Sequence, residues 1–254
     1  MRLLVSVVSA SEAERAVAGG ADIVDVKDPG EGALGAPAPR VLSEVVRVVA
    51  GAVPISVALG DLPDLPHTAA LAARGAAQSG GAYVKVGLRG VRELERAVAM
   101  MSAVADAVSG HAGVIAAAYA DAGALDPPAL EPAWLPALVE RTGIAGALVD
   151  TFVKDGRGLY GWCSEAELTD LIDRTRRAGG MFGVAGQLRI GELCRVDADV
   201  VGVRSAVCHG SDRTAHLEEG LVAAAAAELR TLALESRIGQ LNRQRPVVSQ
   251  GRAP

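Results

Sequence analysis

At 254 residues the chain is long enough for one large α/β domain or two small ones. Half of its residues are apolar but only 3% are aromatic, so its core must be assembled from many small Ala and Val side chains, which suits repetitive helix-on-strand packing. A net charge of −5 excludes a general nucleic-acid surface, which needs clustered positive charge, and no nucleic-acid partner is expected.

The first strand-like run, Leu3-Leu4-Val5-Ser6-Val7-Val8, begins almost at once, and period-2 segments recur near 22–27, 54–59, 82–87, 113–119, 146–150, 181–185 and 199–204. Helical patterns fill the intervals. Ser11 with Glu14 three residues on reads as the N-cap of the first. Others span roughly 39–50, 68–79, 90–108, 131–142, 164–178 and 187–195, and an Ala-rich helix runs over about 216–235. Gly19-Gly20, Gly80-Gly81 and Gly179-Gly180 read as helix C-caps. Eight β-α units in about 235 residues predict a single (β/α)8 TIM barrel over residues 1–235, with a doubly wound sheet as runner-up. Ionisable residues at or just past the strand ends, Lys27, Asp61, Lys85, Asp121, Asp150 and Arg204, favour the barrel, whose mouth would collect them. Residues 236–254 are polar without apolar periodicity, and a disordered tail is expected there.

The start of the chain lacks the cationic segment, long apolar stretch and cleavage site of a secretory signal. No apolar run approaches the roughly 18 residues of a membrane span. Cys163, Cys194 and Cys208 are odd in number and contain no C-x-x-C pair, so neither a disulfide framework nor a zinc site is signalled. A cytoplasmic protein without a membrane partner is expected; homo-oligomerisation is left open.

Of 25 basic residues only three are lysine: Lys27, Lys85 and Lys154. Arginine serves equally as a surface charge but cannot act as an amine nucleophile or base. The surviving lysines therefore mark positions where an amine is required, which points to imine or amine-base chemistry. The alternative is ordinary charge at strand ends. Along a strand Asp25 and Lys27 share a face, so two amines and the carboxylates Asp25 and Asp150 would converge at one barrel mouth. Asp25 reads either as a participant or as an ion-pair partner of Lys27, Asp150 as a participant or a helix cap, and Asp121 as a proton carrier or a turn former. Tyr83 reads as interior filling.

The loops after strands seven and eight, where barrels often hold phosphate, carry Gly186, Gln187, Arg204 and Ser205. Gly186 permits close backbone approach, and Arg204 would supply a bidentate phosphate donor. The glycine-rich segment 28–35 follows neither a dinucleotide nor a Walker pattern and reads as a loop folding over the mouth. His67, His111, His209 and His216 show no metal-ligand spacing, so no metal and no cofactor are expected. The absence of a G-x-S-x-G elbow ranks serine chemistry low.

The segments Ala18–Ala36, Tyr83–Leu88, Tyr119–Ala122, Asp150–Gly156 and Gly202–Arg213 resemble the (5-formylfuran-3-yl)methyl phosphate synthase family over about residues 1–235. The resemblance implies a TIM-barrel lyase that condenses two molecules of glyceraldehyde 3-phosphate, with loss of one phosphate and two waters. It places that family's Schiff-base lysine on Lys27, its proton-accepting lysine on Lys85, and a further acid and amine on Asp150 and Lys154. The chain departs from the family pattern at Gln187, where a serine is usual, and at Ser205 and Ser211, where glycine is. Two other readings compete: a class I aldolase releasing an open-chain sugar phosphate, and a non-catalytic barrel that binds sugar phosphate.

Overall fold

The computed structural model describes residues 1–243, with side chains described through 231. Eight parallel strands close into a barrel in chain order. They are β1 (Arg2–Val7), β2 (Ile23–Val26), β3 (Ile55–Asp61), β4 (Tyr83–Gly87), β5 (Gly113–Tyr119), β6 (Gly146–Asp150), β7 (Met181–Val184) and β8 (Val200–Val203). β1 pairs with both β2 and β8, which closes the ring. The helices are α1 (Ala10–Ala18), α2 (Pro39–Val49), α3 (Pro66–Gln78), α4 (Leu94–Val108), α5 (Leu135–Thr142), α6 (Glu165–Arg177) and α7 (Glu219–Arg243). The TIM barrel read from the sequence is thus the observed fold. Among the described residues no helix is long and apolar enough to cross a membrane.

Alternation along each strand sorts the side chains. Val5, Val7, Val24, Val26, Val57, Val84 and Val86 point outward into one continuous core with Ala13, Ala16, Ala69 and Ala73 of the helices. Small helix residues let the helices lie close on the valine-rich sheet, which explains how so few aromatic rings suffice. Inside the barrel the floor is apolar, formed by Leu4, Ile23 and Val200. One step toward the C-terminal ends the interior turns polar, with Ser6, Asp25 and Ser56 in register across β1, β2 and β3.

Four expectations need correction. α1 is capped by Ser9, whose hydroxyl accepts from Glu12 N, not by Ser11. The S-x-x-E pattern occurs twice in this stretch, and the buried position of Glu12 beside exposed Glu14 selects the earlier frame. The segment 187–195 makes only a 3₁₀ turn at Ile190–Glu192, and Gln187 at its start sits at a left-handed φ of 51°, outside any helix. The helix expected over 90–108 starts only at Leu94. α7 continues to Arg243, so residues 236–243 of the expected tail are helical, and 244–254 lie outside the described residues. The glycines do cap: Gly20, Gly80 and Gly179 all have φ between 86° and 103°.

Candidate active site

Asp25 is wholly buried and accepts four hydrogen bonds. Ser6 Oγ donates to one carboxylate oxygen at 3.0 Å and Ser56 Oγ to the other at 2.8 Å. Lys85 Nζ, from β4, reaches both oxygens at 2.9 Å. The ion pair anticipated between Asp25 and Lys27 therefore does not form; Lys85 is the partner. The two inward serines could have been read as donors from their phase in otherwise apolar strands.

Lys27 lies immediately beyond β2, only 6% exposed. Among the described residues no hydrogen bond or ion pair holds its amine, which lines a cavity of about 230 Å³ at the C-terminal end of the barrel. Burial lowers its pKa from 10.5 to about 8; the charges of Asp150 and Asp25 oppose the shift, and those of Lys85 and Lys154 assist it. With a pKa near 8, about one amine in ten is neutral at pH 7, against on the order of one in three thousand for an ordinary lysine.

Asp150 closes β6 and faces the same cavity. Burial works to raise its carboxyl, but Lys154, then Lys27, and the N–H of Thr151 together hold it below the usual carboxylate range. Lys154 Nζ donates to Asp150 at 2.8 Å and also to the Thr151 hydroxyl at 3.2 Å. All three lysines and Asp150 line one cavity, and Asp25 lies beneath it as the partner of Lys85. Asp121 is a brace instead: both its oxygens accept backbone N–H groups, of Phe152 at 2.8 Å and Val153 at 2.7 Å, which fixes the loop carrying Lys154. Asp61 pairs with the Tyr119 hydroxyl at 2.8 Å; burial raises both groups. Burial also pushes the thiols of Cys163 and Cys208 up to about 11, which disfavours thiolate chemistry there.

The 28–35 loop does fold inward, with Ala33 and Leu34 buried against Ala58 and Tyr119 of the barrel interior. It covers the β3–β5 side of the mouth. The open side is bounded by Gly186, Gln187, Ser205, Ser211 and Arg213. Gly186 has a φ of 113°, and a Cβ there would stand 3.0 Å from the backbone nitrogen of Thr151. Gly186→Ala is expected to lower stability by about 1–3 kcal/mol, read by denaturant unfolding, since strain and contact act together; an unchanged midpoint would show that the loop yields.

Arg204 corrects the sequence expectation of a phosphate donor, because all five of its N–H groups are engaged. Nε donates to Arg213 O, Nη1 to Ser6 O and Glu12, and Nη2 to Glu12 and Ala215 O. It is a buried tie between β1, α1 and the loop before α7. Arg213 is the freer guanidinium, with one long contact of 3.4 Å to Gly32 O. It was visible only as part of the Gly210-Ser211-Asp212-Arg213 motif. Gln187 is turned toward the β6 loop, where Gly156 N donates to its side-chain oxygen at 3.3 Å.

A family model described as 4-HFC-P synthase matches residues 3–226. The (5-formylfuran-3-yl)methyl phosphate synthase of Methanosarcina mazei is 40% identical over 234 residues, covering 90% of this chain and 99% of that protein. The protein of the same name from Methanocaldococcus jannaschii is 41% identical over 219 residues, covering 84% and 92%. Among solved structures, orotidine 5'-phosphate decarboxylase from Pyrococcus horikoshii superposes with a TM-score of 0.59 at 18% identity, covering 90% of this chain and 99% of that one. Dihydrodipicolinate synthase from Acinetobacter baumannii, complexed with pyruvate, gives 0.60 at 15% identity, covering 95% and 82%. These two share the fold. Over nearly its whole barrel, by contrast, the sequence matches one kind of enzyme, and the chain belongs to the (5-formylfuran-3-yl)methyl phosphate synthase family.

Proposed function

We propose that this barrel condenses two molecules of glyceraldehyde 3-phosphate into (5-formylfuran-3-yl)methyl phosphate through an imine on Lys27. The observation that carries the reading is the amine of Lys27, buried, without a protein partner among the described residues, and shifted to about 8 at the edge of a polar cavity. Its neutral fraction attacks the carbonyl carbon of one triose phosphate, and loss of water gives the imine. Electron withdrawal by the protonated imine acidifies the neighbouring C–H. Lys85, whose amine is oriented by Asp25, exchanges protons during enolisation, phosphate elimination and ring closure. Asp150 stands between Lys154 and the Lys27 amine in charge terms and relays protons on that side. Arg213 and the Gly186 loop hold a phosphate. Two triose phosphates contain the atoms of the furan phosphate plus one inorganic phosphate and two waters, so the reaction balances without an oxidant or reductant. The substrate is a free small molecule, and the site of action proposed is the cytoplasm.

Incubation with glyceraldehyde 3-phosphate is expected to yield a near-ultraviolet furan chromophore together with inorganic phosphate. Borohydride added during turnover is expected to leave a reduced adduct on the peptide containing Lys27. Lys85→Arg is expected to keep some trapping while losing turnover. A product that retains both phosphates would instead establish an aldolase, and binding without any adduct would establish a sugar-phosphate binder.

A further inference from the structure

The geometry points to a divalent transition-metal site, distinct from the barrel mouth, formed by His209, His216 and Glu218. After β8 the chain runs outward through a 3₁₀ turn at Ser205–Val207 and returns to α7. The two arms of this excursion meet in an isolated antiparallel bridge between Cys208 and Leu217. Backbone bonds secure it: His209 N donates to His216 O at 3.0 Å, and Glu218 N to Val207 O at 2.9 Å. Cys208 and Leu217 both point inward and are fully buried. Alternation then sends His209, His216 and Glu218 to the opposite, outer face. This is how a His-x₆-His-x-Glu spacing, which signals nothing on a helix or in a tight loop, brings three ligand-bearing groups together.

The imidazole rings of His209 and His216 stack with centroids 5.3 Å apart and planes 13° from parallel. His209 Nδ1 lies 2.7 Å from a Glu218 carboxylate oxygen, and one ligand atom from each of the three residues lies within 4.8 Å of the others. Tetrahedral coordination with bonds of about 2.0–2.1 Å sets ligand atoms about 3.3 Å apart, so binding needs only small side-chain rotations. The two histidines are exposed and free to make them. Two imidazoles and one carboxylate suit Zn²⁺, Ni²⁺, Co²⁺ or Cu²⁺ rather than Mg²⁺ or Ca²⁺, and three ligands leave positions for water. Sequence spacing gives no metal-ligand pattern for His209 and His216, because the group forms only where the two arms meet.

The same loop carries Ser211, Asp212 and Arg213 to the cavity, between the two arms that the ion would join. An ion at the neck therefore cross-links the base of the loop whose tip borders the barrel mouth.

Calorimetric titration of the untagged full chain with Ni²⁺ is expected to show one equivalent bound. His209→Ala and His216→Ala are each expected to weaken it by about tenfold or more. Both residues are exposed, so the metal-free variants should melt where the parent does. At a hundredfold excess over Kd, Ni²⁺ is expected to raise the melting temperature of the parent by about 5 °C and that of the double variant not at all. Equal affinity in parent and double variant, or an equal melting shift in both, would overturn the proposal.

Discussion

Lys27→Met is expected to abolish borohydride trapping, to lower turnover by on the order of 10⁴-fold or more, and yet to stabilise the fold at neutral pH. The first two effects follow from removing the nucleophile. The third follows from linkage. Folding moves the Lys27 pKa from 10.5 down to about 8 through burial. Below about pH 8 the amine is charged in both states, and the folded state bears the full penalty of holding that charge away from water. Between about pH 8 and 10.5 the unfolded chain binds the proton and the folded chain does not, so stability rises with pH across that window. Above it the penalty is gone. A downward shift of this size corresponds to about 3 kcal/mol at pH 7. Methionine fills a similar volume without charge, so the variant should gain about that amount at pH 7 and nothing near pH 11. Denaturant unfolding of both proteins at the two pH values tests it, since the difference cancels the other titrating groups. A gain that is absent at pH 7, or the same at both pH values, would show that Lys27 is not a desolvated amine.

The fold was legible because this chain keeps local and tertiary preferences in agreement. Runs such as Ile23-Val24-Asp25-Val26 and Ala147-Leu148-Val149 are short, β-branched and apolar as strands buried on both faces are, and each is followed by a helical pattern that stops at a left-handed residue, Ala50 after α2 and Gly179 after α6. The scarcity of lysine and the period-2 phase of Asp25, Lys27, Lys85 and Asp150 were enough to locate the cavity. Pairing within it was not legible. Asp25 sits two residues before Lys27, which lies just past the end of β2, yet its partner comes from β4, where Lys85 Nζ reaches both of its oxygens. Arg204 looked like a phosphate ligand from its place after β8, but buried Glu12, on a helix nearly two hundred residues away in sequence, claims its guanidinium. The surface histidine cluster was invisible for the same reason: it depends on two loop arms meeting. Local pattern fixes which face a residue occupies, and only the assembled barrel fixes what it touches.

Asp25→Asn is expected to cost about 3–5 kcal/mol at neutral pH, because it leaves the buried ammonium of Lys85 without its counter-charge. The side chain keeps its shape, and the hydroxyls of Ser6 and Ser56 can rotate to meet an amide, so packing contributes little to the loss. Lys85→Met should cost a comparable amount by stranding the carboxylate instead. The double variant should lose less than either single one, since no unpaired charge remains, and the resulting coupling should therefore be at least about 3–5 kcal/mol. Turnover is lost in all three, whereas the adduct on Lys27 should still form in Lys85→Met, because the nucleophile and the burial that most lowers its pKa are retained; trapping should be slower, since losing the Lys85 charge raises that pKa. Chemical unfolding of the four proteins gives the cycle. Additive losses would mean that Asp25 and Lys85 do not act as a pair, and the oriented proton exchanger beside Lys27 would have to be sought in Asp150 and Lys154 instead.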